Sequence, residues 1–420
     1  MTTNDASTSN AKRGSGLRVA VALYASLDHD GRVLREAKSL VEAGHDVTIY
    51  CLAWQGAADT PFRVVPKVPD RTKALPDGRS PFYGQTSSNA LTRTARRLGW
   101  VVDYVRNLRS WGSWAVDAAA TVDVWHAHDL PALMAVAPFL GPTAKLVYDS
   151  HEIFLESGAA TRIPGPLRRL LSFYERHLVR RTVAVVTVND ALAKDLTRRL
   201  RPKRTVVVHN CAPRWDPPAQ PRHLLRAAAG LSDLASIALY HGALGSHRGI
   251  EQAIEALEAP RMETVDLVLL GYGNAGAAAT TAAASDGTRV HIVPAVSPDD
   301  LLGWVRDADV DVIALQHSTL NHWLSSPNKL WESLGAGVPV IVSDFPVMRH
   351  IVMDDPLGPL GATCEPDDPA SIAAAIRTIL DRPPDERAAL RERCLAAAHA
   401  RWNWETEVSR LVDLYGSLGH

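Results

Sequence analysis

Cysteine is scarce and unpaired. Cys51, Cys211, Cys364 and Cys394 are the four cysteines in 420 residues, and no two share a metal-binding or redox spacing. That argues against a disulfide framework or a thiolate zinc site, fits a reducing cytoplasm, and leaves each thiol as a small core residue. No apolar run approaches membrane-spanning length, so membrane contact is restricted to peripheral binding. The formal net charge of -1 gives no reason to expect nucleic acid or a strongly charged partner. No glycine-rich fingerprint follows the first apolar run. The turn there is Asp28-His29-Asp30-Gly31-Arg32, which does not support a dinucleotide cofactor. Met1 to Gly16 is polar and rich in Ser, Thr and Asn without an apolar core, as in a disordered leader and unlike a signal peptide.

What is present is a repeated alternation of strands and helices. The length exceeds one ordinary core and suits two α/β domains. Leu17–Leu27, a helix from about Arg32 to Ala43 stopped by Gly44, and Asp46–Leu52 make a βαβ start. Pro61–Ser88 has no clear period and predicts a long loop. Residues 17–211 form the first expected domain, and Ala212–Pro221, with four prolines, the linker. Residues 222–400 restart the alternation as a second domain. Residues 401–420 predict a terminal helix, its apolar face (Trp404, Val408, Leu411, Leu414, Tyr415) suited to folding back on the first domain.

One stretch organises the second domain: Ser325-Ser326-Pro327-Asn328-Lys329-Leu330-Trp331-Glu332-Ser333-Leu334-Gly335-Ala336-Gly337, followed by the apolar strand Val338–Val342. Ser326 as N-cap and Pro327 as first helical residue leave the amides of Asn328 and Lys329 free at the positive end of a helix, where an anion belongs. Glu332 lies one turn further on, where its carboxylate can accept from the paired hydroxyls of a ribose. An ordinary capped helix with a solvated glutamate has the same local pattern. Upstream, Gly242–Gly249 leads from a strand to a helix start, its glycines allowing close approach of a ligand and Arg248 offering a cation for phosphate. Asp309-Val310-Asp311 resembles a metal-binding Asp-x-Asp but opens an apolar strand and is taken as structural.

In the first domain two neighbouring strands end in histidine and carboxylate: Asp123-Val124-Trp125-His126-Ala127-His128-Asp129 and Tyr148-Asp149-Ser150-His151-Glu152. Residues just past the carboxyl ends of parallel strands line the ligand crevice, so His126, His128, Asp129, His151 and Glu152 are candidate site residues. A metal site competes with this reading. Neither pair has a helical i, i+4 partner, and it is discounted. Leu91–Trp114 and Pro166–Arg181 predict basic helices bearing tryptophan and leucine. Such helices can lie on an anionic membrane, although the same pattern describes many solvated helix faces.

Together these segments resemble the GT-B glycosyltransferases, and more closely their retaining group 1 or family 4 type, from about Leu17 to Leu418. The motifs that carry the resemblance are the two histidine edges, His241-Gly242 with Arg248-Gly249-Ile250-Glu251, and Ser326 to Glu332 through Gly337-Val338-Pro339-Val340. The resemblance implies two doubly wound Rossmann-like domains with a central cleft. It implies transfer of a hexosyl group from a nucleoside-diphosphate sugar to a hydroxyl acceptor with retention, without cofactor or metal, in polysaccharide, glycolipid or other glycoconjugate synthesis.

By the same resemblance, Glu332 takes the ribose, the amides near Ser326, Asn328 and Lys329 hold the diphosphate, and Arg248 neutralises it. Gly242, Gly271, Gly273 and Val296 border the donor. His151 stands beside the transferred sugar, and Arg32, His126, His128, Asp129 and Glu152 lie on the acceptor side. His151, Arg248 and Lys329 would be catalytic. The partners expected are a nucleotide sugar and a glycan or lipid-linked acceptor, in the cytoplasm or at the inner face of a membrane. Two positions depart from the family: Leu324 stands where a second glutamate is common, and Ala243 where a phosphate-binding arginine is common. A nucleotide-sugar epimerase and a non-catalytic nucleotide-sugar or glycan-binding protein are the alternatives.

Overall fold

The computed structural model describes residues 16–28, 30–56, 59–68, 90–119, 121–220, 222–232, 234–273, 276–285 and 287–419. The expected leader before residue 16, most of the expected 61–88 loop, His29, Pro221, Asn274, and the side chains of Arg93, Arg96, Arg97 and Trp100 lie outside the described residues.

The first half runs β1 (Arg18–Leu23), α1 (Gly31–Glu42), β2 (Asp46–Cys51), β3 (Arg63–Pro66), α2 (Ala90–Ala118), β4 (Val124–His128), α3 (Asp129–Val136), β5 (Lys145–Ser150), α4 (Gly165–Val179), β6 (Ala184–Thr187), α5 (Asp190–Leu200) and β7 (Thr205–Val207). Its strands form one parallel sheet in the order β3-β2-β1-β4-β5-β6-β7. The chain winds outward in both directions from the β1/β4 pair, so the switch point, and the crevice that goes with it, lies past His128. Val19, Val21 and Leu23 face α1, and Ala20 and Ala22 face the opposite layer with Trp111 and Leu133. Burial on both faces explains why these strands carry continuous apolar runs. Each fully buried leucine such as Leu40 or Leu133 contributes roughly 1.5–3 kcal/mol.

The second half runs α6 (Leu224–Ala228), β8 (Ser236–Leu244), α7 (Ile250–Ala256), β9 (Val265–Gly273), α8 (Gly276–Ala283), β10 (Val290–Pro294), α9 (Leu301–Val305), β11 (Val310–Ile313), α10 (Leu320–Trp323), α11 (Asn328–Gly335), β12 (Val340–Ser343), α12 (Pro346–Met353), β13 (Gly361–Cys364), α13 (Pro369–Leu380), α14 (Pro384–Ala400) and α15 (Trp404–Leu418). The second parallel sheet has the order β10-β9-β8-β11-β12-β13, with its switch point between β8 and β11. Helix α15 packs on the first sheet: Leu411, Leu414 and Tyr415 join the core beneath β1, and Trp404 Nε1 donates to Ser39 Oγ at 2.9 Å.

Three local expectations are corrected. The stretch expected to be loop from Pro61 contains β3, because Val64 and Val65 pair with Ile49 and Tyr50 at the sheet edge. Gly271–Gly273, expected as a turn, belongs to β9, since β8 and β9 stay paired as far as Leu244 and Gly273. Gly271 is required there: a Cβ would lie 1.9 Å from the Gly242 carbonyl oxygen. Helix α11 starts at Asn328 with Pro327 in the cap position, and no side chain caps it. Ser326 is therefore not the N-cap.

Candidate functional site

The carboxyl edge of the second sheet gathers its charges around His241, in the C-terminal half of β8. Its imidazole is buried, with Nδ1 3.4 Å from Asp311 Oδ1 and Nε2 3.0 Å from Glu332 Oε2. The other Asp311 oxygen accepts from Ser333 Oγ at 2.8 Å. Burial alone would lower the imidazole, but the two carboxylates outweigh it and carry His241 up to about 9. Lys329 Nζ sits 3.3 Å from the centroid of the Tyr240 ring. Burial, set against Asp311 and reinforced by Arg248, pushes its ammonium down to about 7. Among the described residues neither Lys329 nor Arg248 has a carboxylate within ion-pairing distance. Asn328 and Lys329 open α11, so their amides have no intrahelical acceptor. Lys329 and Arg35 thus face Glu332, whose side chain is 26% exposed, and Arg248 faces Lys329 at the start of α11.

The first sheet's edge is layered. Nearest the surface, His151 lies with Nδ1 3.5 Å from Asp129 Oδ2, and its backbone amide donates to Asp129 Oδ1 at 3.2 Å. Asp129 holds a left-handed backbone, φ 59°, at the β4–α3 junction, strain of the kind that marks functional turns. Burial lifts the Asp129 carboxyl to about 7. Burial works against a charged His151, but Asp129 and Asp149 outweigh it and the imidazole is raised. His151 Nε2 lies 3.0 Å from His128 Nδ1. His128, driven well below its ordinary range by burial and by His126, serves as the acceptor.

Below this pair is a closed layer. The Arg32 guanidinium places Nε 2.9 Å from Glu36 Oε1 and Nη2 2.9 Å from Asp149 Oδ2, and Nη1 donates to the Val208 carbonyl at 2.8 Å. His126 Nδ1 lies 3.0 Å from the hydroxyl of Tyr415, on α15. Burial pushes Glu36 well above the carboxylate range and Arg32 offsets only part of it. Burial also opposes ionisation of Asp149, but Arg32 and His151 hold it far below. Ligand atoms of Glu36, His126, His128 and Asp149 lie within 4.8 Å of one another, as a divalent ion would need. The Asp149 oxygen nearest His126 is already bound to Arg32, which supplies the positive charge from within the chain.

The two edges meet along a polar seam. Asn189 Nδ2 donates to the Leu324 carbonyl at 2.9 Å and lies 3.2 Å from Ser326 Oγ. Asn321 on α10 donates to Glu152 Oε2 at 3.0 Å and accepts from the Ile153 amide at 3.0 Å. Asn210 accepts from Arg35 on α1 and donates to Asn328 Oδ1 at 2.8 Å.

The residues singled out by sequence therefore fall into groups. His151 and Asp129 stand together at one edge, with His128 directly behind. Gly242, Arg248, Asn328, Lys329 and Glu332 belong to the other. Arg32 and His126 are fully buried, so they support Asp149 and His128 instead of touching an acceptor. Glu152 and Ser326 serve the seam. Gly271 and Gly273 are strand residues, and Val296 packs against the core beneath the second sheet. Asp311, read as structural, faces His241. Leu324 packs on the first sheet's core while its carbonyl takes Asn189. His241, Glu36, Asp149, Asn189, Asn321 and Tyr415 carry no local signal that assigns them these partners, which lie 70 to 289 residues away except along α1 and β5.

Comparison with known proteins agrees with this architecture. Residues 31–211 match the family described as Glycosyl transferase 4-like domain, and residues 235–382 the family described as Glycosyl transferases group 1. The chain is 24% identical over 399 residues to a glycogen synthase of Mycobacterium tuberculosis, covering 90% of this chain and 88% of that protein. Its fold is similar to sucrose-phosphate synthase from Thermosynechococcus elongatus, with TM-score 0.69 and 17% identity over 96% of this chain and 99% of that one. It is also similar to Anabaena HepE in complex with UDP and glucose, with TM-score 0.65 and 16% identity over 95% of this chain and 100% of that one. With matching family segments on both sides of the cleft, and two doubly wound sheets between them, the chain belongs to the group 1, family 4-like glycosyltransferases of the GT-B fold.

Proposed function

We propose that the chain transfers a hexosyl group from a nucleoside-diphosphate sugar to a hydroxyl of a glycan or lipid-linked acceptor, with retention of configuration. The observation that carries this reading is the pairing across one seam of a Glu332 carboxylate, which has Lys329 beside it and Arg248 beside Lys329, with a His151 imidazole held by Asp129. In this reading Glu332 accepts from the ribose hydroxyls and the α11 amides hold the diphosphate. Arg248 and Lys329 neutralise the charge that grows on the leaving oxygen. His151, fixed by Asp129 and His128, orients the transferred sugar. The departing diphosphate takes the acceptor's proton on the same face from which the acceptor oxygen attacks, so the anomeric configuration is kept. The UDP and glucose bound to the Anabaena neighbour support a nucleotide sugar as donor.

An acceptor presented at a membrane is supported by α4. Leu170 and Phe173 are 63% and 68% exposed, on a helix that also exposes Arg169 and is followed directly by the exposed Arg180. The spacing of Arg169, Leu170, Phe173 and Arg180 puts them on one face, which complements an anionic lipid surface. No helix of the described residues is long and apolar enough to cross a membrane.

Calorimetric titration of UDP, GDP and ADP, and of their hexose conjugates, into wild type and Glu332→Ala tests the donor site. One nucleotide class should bind and weaken in the variant. Proton NMR of the product's anomeric centre then reads retention; an inverted product would sink the mechanism. Co-sedimentation with phosphatidylglycerol vesicles should be lost at high salt and in Phe173→Ser with Leu170→Ser. Equal pelleting of that double variant would rule α4 out.

A further inference from the structure

We infer that His241 is a positioning residue of the donor site: clamped between Asp311 and Glu332, it fixes the Glu332 carboxylate in the orientation that receives the ribose hydroxyls. The inference rests on the reading of Glu332 as the ribose-binding group.

Three secondary-structure elements meet at this ring. His241 lies in the C-terminal half of β8, Asp311 is on β11, and Glu332 with Ser333 is on α11; β8 and β11 are the two strands of the switch point. The Asp311 carboxylate is fully buried and used at both oxygens, by Ser333 Oγ at 2.8 Å and His241 Nδ1 at 3.4 Å. It therefore fixes the ring from behind. The opposite nitrogen, Nε2, reaches Glu332 Oε2 at 3.0 Å. A glutamate has three rotatable bonds, and one that swings freely must be ordered by each ligand it binds. With Oε2 held by His241, the carboxylate is oriented beforehand, and Oε1 remains for a ligand hydroxyl.

A neutral imidazole can donate from one nitrogen only, whereas the protonated ring donates to both carboxylates. The charged groups facing the ring are Asp311 on β11 and Glu332 on α11; Lys329 on α11 faces both carboxylates, Arg35 on α1 faces Glu332, and Arg248 after β8 faces Lys329 and Tyr240. The two carboxylates are the groups in hydrogen-bond contact with it, and they favour the protonated form.

Asparagine and glutamine separate the two contacts. Asn places an amide nitrogen near the Nδ1 position and can meet Asp311 but falls short of Glu332. Gln reaches the Nε2 position and can meet Glu332. The experiment is titration of whichever of UDP, GDP and ADP binds the wild type into His241→Asn, His241→Gln, Glu332→Ala and the His241→Asn/Glu332→Ala double variant. Loss of a hydrogen bond to a charged group predicts that His241→Asn binds about tenfold or more weakly, while His241→Gln recovers most of the affinity. The double variant should bind no more weakly than Glu332→Ala, because the two act as a unit. Wild type should also lose affinity as pH rises through about 9, beyond the loss that Lys329 causes in both proteins, and this additional limb should be absent from His241→Gln; this comparison stands even where His241→Asn does not fold. Wild-type affinity in His241→Asn, or additive losses in the double variant, would overturn the inference while leaving the ribose reading intact. Unchanged binding in Glu332→Ala would overturn the ribose reading and the inference together.

Discussion

Arg32 and Asp149, 117 residues apart in sequence, form a fully buried ion pair of 2.9 Å at the base of the first domain's site. Burial is what keeps the two histidines of β4 from charging, and the positive charge on Arg32 reinforces it against the pull of Asp149. Removing one partner strands the other in a medium where it cannot be solvated. Arg32→Met is therefore expected to cost about 3–5 kcal/mol of stability, most of it from the orphaned Asp149 carboxylate. Arg32→Met with Asp149→Leu should cost less than Arg32→Met alone, and denaturant unfolding of the three proteins checks both statements. A single variant as stable as wild type would mean that the layer admits water.

Glu36 makes the opposite prediction. Its folded carboxyl is raised well above the unfolded value by burial, so between those two values the native state holds a proton that the unfolded chain has lost. Stability then falls as pH rises through this window, by at most about 1.4 kcal/mol per unit. Glutamine copies the protonated carboxyl. Glu36→Gln is expected to remove that slope and to equal or exceed wild-type stability at pH 8, as thermal unfolding from pH 5 to 9 will show. Parallel pH profiles for the two proteins would mean that Glu36 is ionised in the fold.

Asn189 does two jobs that one substitution can separate. Its Oδ1 caps α5 by accepting from the Leu192 amide at 2.8 Å, while Nδ2 crosses the seam to Leu324 and Ser326. Aspartate keeps the cap and loses the crossing donors. Asn189→Asp should therefore fold normally, exchange amide hydrogens faster across α10 and α11, and lose roughly tenfold in kcat/KM, the worth of about one to two net hydrogen bonds. Unchanged exchange in residues 320–335 would show that other contacts hold the seam.

The alternation that builds both sheets was legible because buried parallel strands must be apolar throughout, and Val19–Leu23 or Val338–Val342 look like nothing else. The histidine edges were legible too, since polar residues closing an apolar run stand out. What stayed hidden depends on partners far along the chain. Nothing near Ser326 reveals that its hydroxyl faces Asn189 and not the α11 amides, so local capping logic chose the wrong role. Asp149 sits mid-motif with no hint that sheet order β1-β4-β5 sets it beside Arg32. The extension of β8 and β9 past Gly242 and Gly271 follows from two glycine backbones in contact, and glycine alone suggested a turn.

Lys329 should make donor affinity depend on pH with a definite sign. In the free protein its ammonium is pushed down to about 7, mainly by burial. A diphosphate bound beside it adds negative charge and raises that value in the complex. Between the two, binding must take up a proton, so affinity falls as pH rises above about 7, by at most tenfold per unit, and is flat in this respect below it. The nucleotide's own terminal phosphate gains charge near pH 6 and pushes affinity the other way. That contribution is common to every variant. Calorimetry at pH 8 in two buffers of different ionisation enthalpy should register uptake of up to one proton per nucleotide by wild type and none by Lys329→Met. The variant should also lose more affinity at pH 6.5 than at pH 9, since at high pH the wild-type lysine is already uncharged. Equal losses at the two pH values, with no proton uptake, would place the Lys329 ammonium outside the diphosphate's reach and leave Arg248 and the α11 amides to hold it.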